Sequence, residues 1–276
     1  MNPTPNVITI DDPADPRLDV YRDVRDRDLR GPSGRPGRFI GEQALTVEKM
    51  LSIPGLTESV LIAPNWIDRL APLAPPDVPV YVVTPDTMAT IAGFPIHRGV
   101  LAVGRRPAPE SRTIDAAVPT RSGPLTVLLC EDITNIDNIG LLFRNAAAFA
   151  ADAVVLSPRC HDPLYRKSIR VSIGHVLTMP WAQSVTWVDD LDRLRREWGI
   201  TLIAAALTDD ARAIGAVDPP DRVGIVVGAE YSGLSADTLA RCDVVAKIPM
   251  APGIDSLNVG VASAVFLERF SRGTRR

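Results

Sequence analysis

Cysteine is scarce in this chain: Cys130, Cys160 and Cys242 are the whole complement of 276 residues. Their wide separation gives no C-x-x-C pair, which argues against a zinc site or a dithiol redox pair. A sparse, odd count suits a reducing compartment better than a disulfide scaffold. Aromatic residues are few, at 5%. An excess of positive charge is also missing: 30 Lys and Arg face 33 Asp and Glu, a net charge of −3. A protein that only coats nucleic acid is usually more basic, so any contact with a polyanion must come from local basic patches. No apolar run reaches the roughly 18 residues that a membrane span needs. The start, MNPTPNVITIDDPADP, has neither the basic nor the apolar region of a signal peptide. A soluble, cytoplasmic protein is the expectation.

What is present is a normal globular composition, 46% hydrophobic and 23% charged, with enough length for one large domain or two ordinary ones. Residues 1–38 read as an irregular start. In it Arg22, Arg25, Arg27, Arg30, Arg35 and Arg38 alternate with Asp23, Asp26 and Asp28. Interleaved charge of this kind is first of all a solvated face, and a nucleic-acid-facing arginine surface is its functional counterpart. Residues 41–51 read as a helix, and 59–63, 79–83 and 99–104 as strands. Together 1–106 form a small α/β domain. The polar, Pro- and Ser-containing stretch 107–123 reads as a linker. From 124 to 276 strands alternate with helices: strands over 125–130, 153–157, 201–206, 223–228 and 244–248, helices over 138–150, 188–198, 235–241 and 256–270. That alternation predicts a parallel sheet covered on both faces. Ligands in such sheets sit at the carboxyl ends of the strands.

Three loops leave those ends. The first holds Asn135, Asn138 and Gly140, with Arg144 at the side of the following helix. Asn138 is the expected N-cap. Ile139, Leu142, Phe143, Ala146 and Ala150 share one face, and Arg144 lies well off it. From spacing alone, a capped helix with one exposed arginine accounts for this. The second loop is Gly228-Ala229-Glu230-Tyr231-Ser232-Gly233-Leu234-Ser235. Its glycines would let a ligand approach the backbone, but an ordinary turn with Ser235 as helix cap reads equally well. It is not the G-x-G-x-x-G dinucleotide fingerprint. The third loop runs from Ile248-Pro249-Met250 to Ser256-Leu257-Asn258-Val259. It enters a helix rich in small residues, suited to close approach by another helix, such as one from a partner subunit.

Taken together, these loops resemble the SpoU/TrmH family of RNA ribose methyltransferases, within the SPOUT superfamily. The family's N-x-x-N-x-G-x-x-x-R stands as Asn135, Asn138, Gly140 and Arg144. Its G-x-E-x-x-G-[LM]-S stands as Gly228, Glu230, Gly233, Leu234 and Ser235. Its I-P-M and S-L-N-V stand as Ile248–Met250 and Ser256–Val259. Ile136 replaces a frequent proline, and Ala229 a frequent Asn or Ser. The 1–106 domain more faintly resembles the small RNA substrate-binding domain that many members carry, with HRGVLAVGRR (97–106) where such domains end.

The resemblance implies an α/β SPOUT domain with a trefoil knot, a homodimer with terminal helices in the interface, and S-adenosyl-L-methionine as methyl donor. It implies cofactor contacts at Gly228, Ile248 and Leu257, largely through backbone atoms, with Glu230 and Met250 in the same loops. It implies Arg144 as the catalytic arginine, Asn135 orienting ribose or Arg144, and Ser256 and Asn258 fixing the third loop or facing the acceptor. A guanidinium stays protonated at neutral pH, so phosphate binding and oxyanion stabilisation suit Arg144 better than a general-base role. The substrate implied is RNA, with ribosomal RNA favoured by the N-terminal domain. Transfer RNA is the alternative. An inactive RNA-binding protein of the same fold is a third reading, against which the retention of Arg144, Asn135 and the cofactor loops counts. A basic stretch, Arg159, Arg166, Lys167 and Arg170, is either a phosphate-contacting surface or a solvated helix face. His161 and His175 read as ordinary loop histidines, and Trp181, Trp187 and Trp198 as core or interface. No metal is expected.

Overall fold

The structure, a computed structural model, describes residues 4–22, 37–92, 99–254 and 256–271. Met1–Ala108 with Leu164–Thr178 makes one compact unit, and Pro109–Pro163 with Met179–Arg276 a second. In chain order the elements begin with β1 (Val7–Thr9), β2 (Arg38–Glu42), α1 (Ala44–Ser52), β3 (Thr57–Ile62) and α2 (Ile67–Leu70). Then come β4 (Val80–Val82), α3 (Pro85–Ala92), β5 (Val100–Arg105) and α4 (Ile114–Ala117). They continue with β6 (Leu125–Cys130), α5 (Ile136–Ala148), β7 (Ala153–Leu156), α6 (Arg166–Val171), α7 (His175–Thr178) and β8 (Trp181–Gln183). The last are α8 (Trp187–Trp198), β9 (Thr201–Ala205), β10 (Arg212–Ala213), β11 (Arg222–Val227), α9 (Ala236–Leu239), β12 (Val244–Lys247) and α10 (Val259–Phe270).

Among the described residues the first unit holds a five-stranded mixed sheet, ordered β1-β4-β3-β5-β2. The start expected to be irregular contributes to it. β1 pairs in parallel with β4, Leu18 and Tyr21 are fully buried in the unit's core, and the Tyr21 hydroxyl bonds Ser59 Oγ at 2.7 Å. A three-residue edge strand has no periodicity to read, since only its neighbour defines it. Arg25, Arg27, Arg30 and Arg35, with Asp23, Asp26 and Asp28, lie outside the described residues, as do His97 and Arg98. Gly41 and Glu42, expected to begin a helix, end β2 instead, paired antiparallel with β5. Gln43 then takes φ +79° and turns the chain into α1. α6 and α7 pack in this unit too: Arg170 Nη1 donates to Glu42 Oε1 at 2.6 Å, and Lys49 Nζ donates to the Ile173 carbonyl at 2.6 Å. Part of the basic stretch is thus occupied within the first unit.

The second unit is built on a seven-stranded parallel sheet, ordered β10-β12-β9-β11-β6-β7-β8. β6 (LTVLLC) is buried along its whole length, and all of β11 (RVGIVV) except its first residue is buried too. Such continuous apolar runs are what strands covered on both faces require. α8 covers one face with Trp187, Leu191, Leu194 and Trp198, all buried, at the spacing of one helical stripe. Asp189 and Asp190 in its first turn and Arg195 and Arg196 in its last complement the helix dipole. Within the stretch 107–123, Ile114, Ala117 and Val118 are buried in this unit's core. No described helix is long and apolar enough to cross a membrane.

Candidate active site

β6 and β11 lie side by side, with β7 and β8 beyond β6, and β9, β12 and β10 beyond β11. The direction of chain progression reverses between them, and parallel sheets bind ligands at the carboxyl ends beside such a reversal. A cavity of about 310 Å³ opens along the same carboxyl edge, at the ends of β9, β11 and β12. Gly228, Glu230, Ile248, Met250, Ser256 and Leu257 all border it, while Val227, Ala246 and Phe266 supply apolar wall. Arg144, Asn135 and Asn258 stand outside its lining.

Side-chain hydrogen bonds join the three loops. Asn258 Nδ2 donates to Glu230 Oε1 at 2.6 Å and to Asn138 Oδ1 at 3.0 Å. Asn258 Oδ1 accepts from the Gly260 amide at 2.9 Å and so caps α10. One amide group therefore connects all three motifs. Asn138 is buried and is not the cap expected of it. Asn135 is the cap of α5, its Oδ1 accepting from the amides of Asp137 at 2.8 Å and Asn138 at 3.3 Å. The helix accordingly starts at Ile136, and Ala150 lies beyond its end at φ +52°. Ser235 caps α9, accepting from the Thr238 amide at 3.2 Å. Ser256 is exposed at the edge of the cavity.

Gly228 is required by the loop itself. A Cβ there would lie 2.4 Å from the carbonyl of Gly233, so the closest approach is of the loop's own backbone. Gly233 turns the chain at φ +65°, and its amide donates to the Ala229 carbonyl at 2.9 Å. The small residues of α10 also serve an intramolecular contact. A Cβ on Gly260 would meet Leu141 Cβ at 3.0 Å, and Asn145 Nδ2 donates to the Gly260 carbonyl at 2.6 Å and to Ser263 Oγ at 3.0 Å. α10 is thereby held on α5.

Arg144 is exposed on α5. Among the described residues no hydrogen bond or ion pair occupies it, unlike Arg159, which pairs with Asp132. Two site residues escaped the sequence reading. Asn145 is one. The other is Glu131, 5% exposed at the end of β6. Its carboxylate accepts from Ser235 Oγ at 2.7 Å, Thr238 Oγ1 at 2.8 Å and the Ser235 amide at 3.0 Å. A carboxylate closing an otherwise apolar strand was the available signal. Trp187 and Trp198 are buried in the core, and Trp181 packs edge-on against Phe143. Among the described residues no group of His, Cys, Asp and Glu is arranged to hold a metal ion.

These features define an α/β domain with a cavity of small-molecule size at the carboxyl ends of its parallel strands. A family model described as the SpoU rRNA Methylase family matches residues 125–268. A Mycobacterium tuberculosis (strain H37Rv) protein named as an uncharacterized tRNA/rRNA methyltransferase is 40% identical over 274 residues, 95% of this chain and 91% of its own. The 23S rRNA (guanosine-2′-O-)-methyltransferase RlmB of Acinetobacter baylyi is 28% identical over 203 residues, 73% of this chain and 82% of that protein. The fold is that of an AdoMet-bound rRNA methyltransferase from Sinorhizobium meliloti, with TM-score 0.79, 20% identity, and coverage of 98% of this chain and 99% of that one. The chain belongs to the SpoU rRNA methylase family and is an RNA methyltransferase.

Proposed function

We propose that this protein transfers a methyl group from S-adenosylmethionine to a ribose 2′-hydroxyl of ribosomal RNA. The observation that carries this reading is the Glu230–Asn258–Asn138 linkage, which ties the first motif loop to the two loops that border the cavity. The cavity fits the donor: about 310 Å³ lies at the lower end of the range for small-molecule sites, and an apolar wall with loop backbone suits an adenine ring. Gly228, Ile248 and Leu257 would hold it, with Glu230 and Met250 shaping the rim. When bound, S-adenosylmethionine supplies a methyl already activated on a sulfonium. The chain has to align the acceptor and favour negative charge on its oxygen. Transfer to O2′ would leave the donor as its neutral thioether and release the hydroxyl proton, which passes to water because no side chain is assigned as base. Arg144, exposed and unoccupied among the described residues, binds the adjacent phosphate and stabilises the developing oxyanion. Asn135 sets the start of the helix that presents it, and Ser256 and Asn258 hold the third loop toward the acceptor.

The wider reading has the 1–106 domain contacting RNA, 107–123 joining it to the 124–276 SPOUT domain, and the third loop threaded as a trefoil knot. A homodimer is supported by α10. It buries Phe266, Leu267 and Phe270 on one side, yet leaves Val261 and Val265 exposed, with exposed Leu257 just ahead of them. Their spacing of four makes a second apolar stripe. The compartment proposed for it is the cytoplasm. Calorimetry with S-adenosylmethionine tests the cofactor, and absence of binding at millimolar donor refutes the enzyme. Mass spectrometry of rRNA and tRNA from cells with and without the gene tests the substrate. Loss of one 2′-O-methyl nucleotide from rRNA is expected. Loss from tRNA would move the assignment there, and loss of a base methyl would refute the acceptor atom.

A further inference from the structure

We propose that Tyr231 is a stacking platform for a nucleobase of the RNA acceptor, an inference that rests on the RNA-methyltransferase reading above. Tyr231 has a relative exposure of 102%. Every other aromatic among the described residues is buried or half-buried. A fully hydrated ring gains nothing for the fold, whereas every nucleobase presents a π-face that such a ring can cover.

Its position is suited to that task. Tyr231 borders the cavity assigned to the methyl donor, so an acceptor brought to the methyl group must pass beside it. Exposed Leu207 and Leu257 border the same cavity beside Glu230 and Lys247, so the ring stands on a rim that offers apolar as well as charged surface. The support is rigid on both sides. Before it, the Glu230 carboxylate is tied to Asn258 at 2.6 Å. After it, the Gly233 amide closes the turn onto the Ala229 carbonyl at 2.9 Å, and residues 229 and 233 form a β-bridge. A tyrosine on such a turn has few torsions left to freeze when a base lands on it.

The charge balance favours a base over further phosphate contacts as the origin of affinity. With a net charge of −3, the chain has no general electrostatic hold on RNA, and stacking adds affinity that does not depend on counterion release.

The test compares wild type with Y231A, Y231F, Y231W and Y231L. The RNAs are unmethylated rRNA transcripts and bulk tRNA, with filter binding run at several salt concentrations. Stacking is worth about 1–3 kcal/mol per base, which at about 1.4 kcal/mol per tenfold predicts roughly 5- to 140-fold weaker RNA binding and a matching rise in KM for Y231A. The slope of affinity against salt stays the same, because no phosphate contact is removed. Y231F and Y231W bind near wild type, and Y231L behaves as Y231A. The S-adenosylmethionine Kd and the sedimentation coefficient do not change. Wild-type RNA affinity in Y231A overturns the proposal. Loss of cofactor binding overturns it in favour of a lid over the donor. Loss of self-association overturns it in favour of a contact between copies. If wild type binds the transcripts but methylates none of them, the functional reading fails, while the Tyr231 comparison is still decided by binding.

Discussion

Glu131 has left water with every oxygen engaged: three donors, all from the first turn of α9, converge on it. That turn follows the Gly228–Leu234 loop, so the carboxylate anchors the far end of the loop that borders the cavity. Glu131→Gln keeps the shape but sets an N–H against donors, and an unsatisfied buried group costs about 1–3 kcal/mol. The expected outcome is a lower denaturant midpoint together with weaker S-adenosylmethionine binding by calorimetry. Gly228→Ala acts on the same loop by sterics, since its Cβ would lie 2.4 Å from the Gly233 carbonyl. Cofactor affinity should fall by more than tenfold, while far-UV dichroism reports an intact sheet. At Asp132, the hydrogen bond from Arg159 holds the carboxyl below its ordinary value against the opposing effect of burial. A depressed folded pKa contributes stability above the unfolded value of about 3.9 and loses it as pH falls through the folded value. Urea midpoints of wild type and Arg159→Ala should therefore differ at neutral pH and converge in strong acid.

The decisive pair among the elements is α5 and α10, whose packing brings Asn138 to Asn258 and so joins the first motif loop to the third. Their contact is close because position 260 has no side chain. Gly260→Val would press on Leu141, 3.0 Å from the added Cβ, and overpacking of this kind costs about 1–3 kcal/mol. The denaturant midpoint should drop, and Asn145→Ala, which removes the bonds to Gly260 and Ser263, should lower it too. The long strands were legible in the sequence because doubly covered strands are continuous apolar runs: β6 occupies the expected residues 125–130. β8 and β10 were not, having three and two residues and existing only as partners of β7 and β12. The cap of α5 was misplaced by one turn because Asn135 and Asn138 are chemically identical candidates. Burial chose between them, sending Asn138 inward to Asn258.

For the whole molecule, the exposed apolar stripe on α10 predicts self-association. Val261→Glu should shift the sedimentation coefficient toward that of a 276-residue monomer while leaving the circular dichroism spectrum intact, and an unchanged coefficient would count against that surface. The strand–helix alternation of the second half, the three loops and their glycines were determined by the sequence alone, because periodicity and φ demands are local properties. Only the tertiary structure decided that Asn258 reaches Glu230, 28 residues away, and Asn138, 120 residues away. It alone decided that Glu131 anchors α9 and that Tyr231 stands clear of the surface. Such neighbours are set by strand order and layer packing, and these depend on how distant segments share one core rather than on any stretch of residues read by itself.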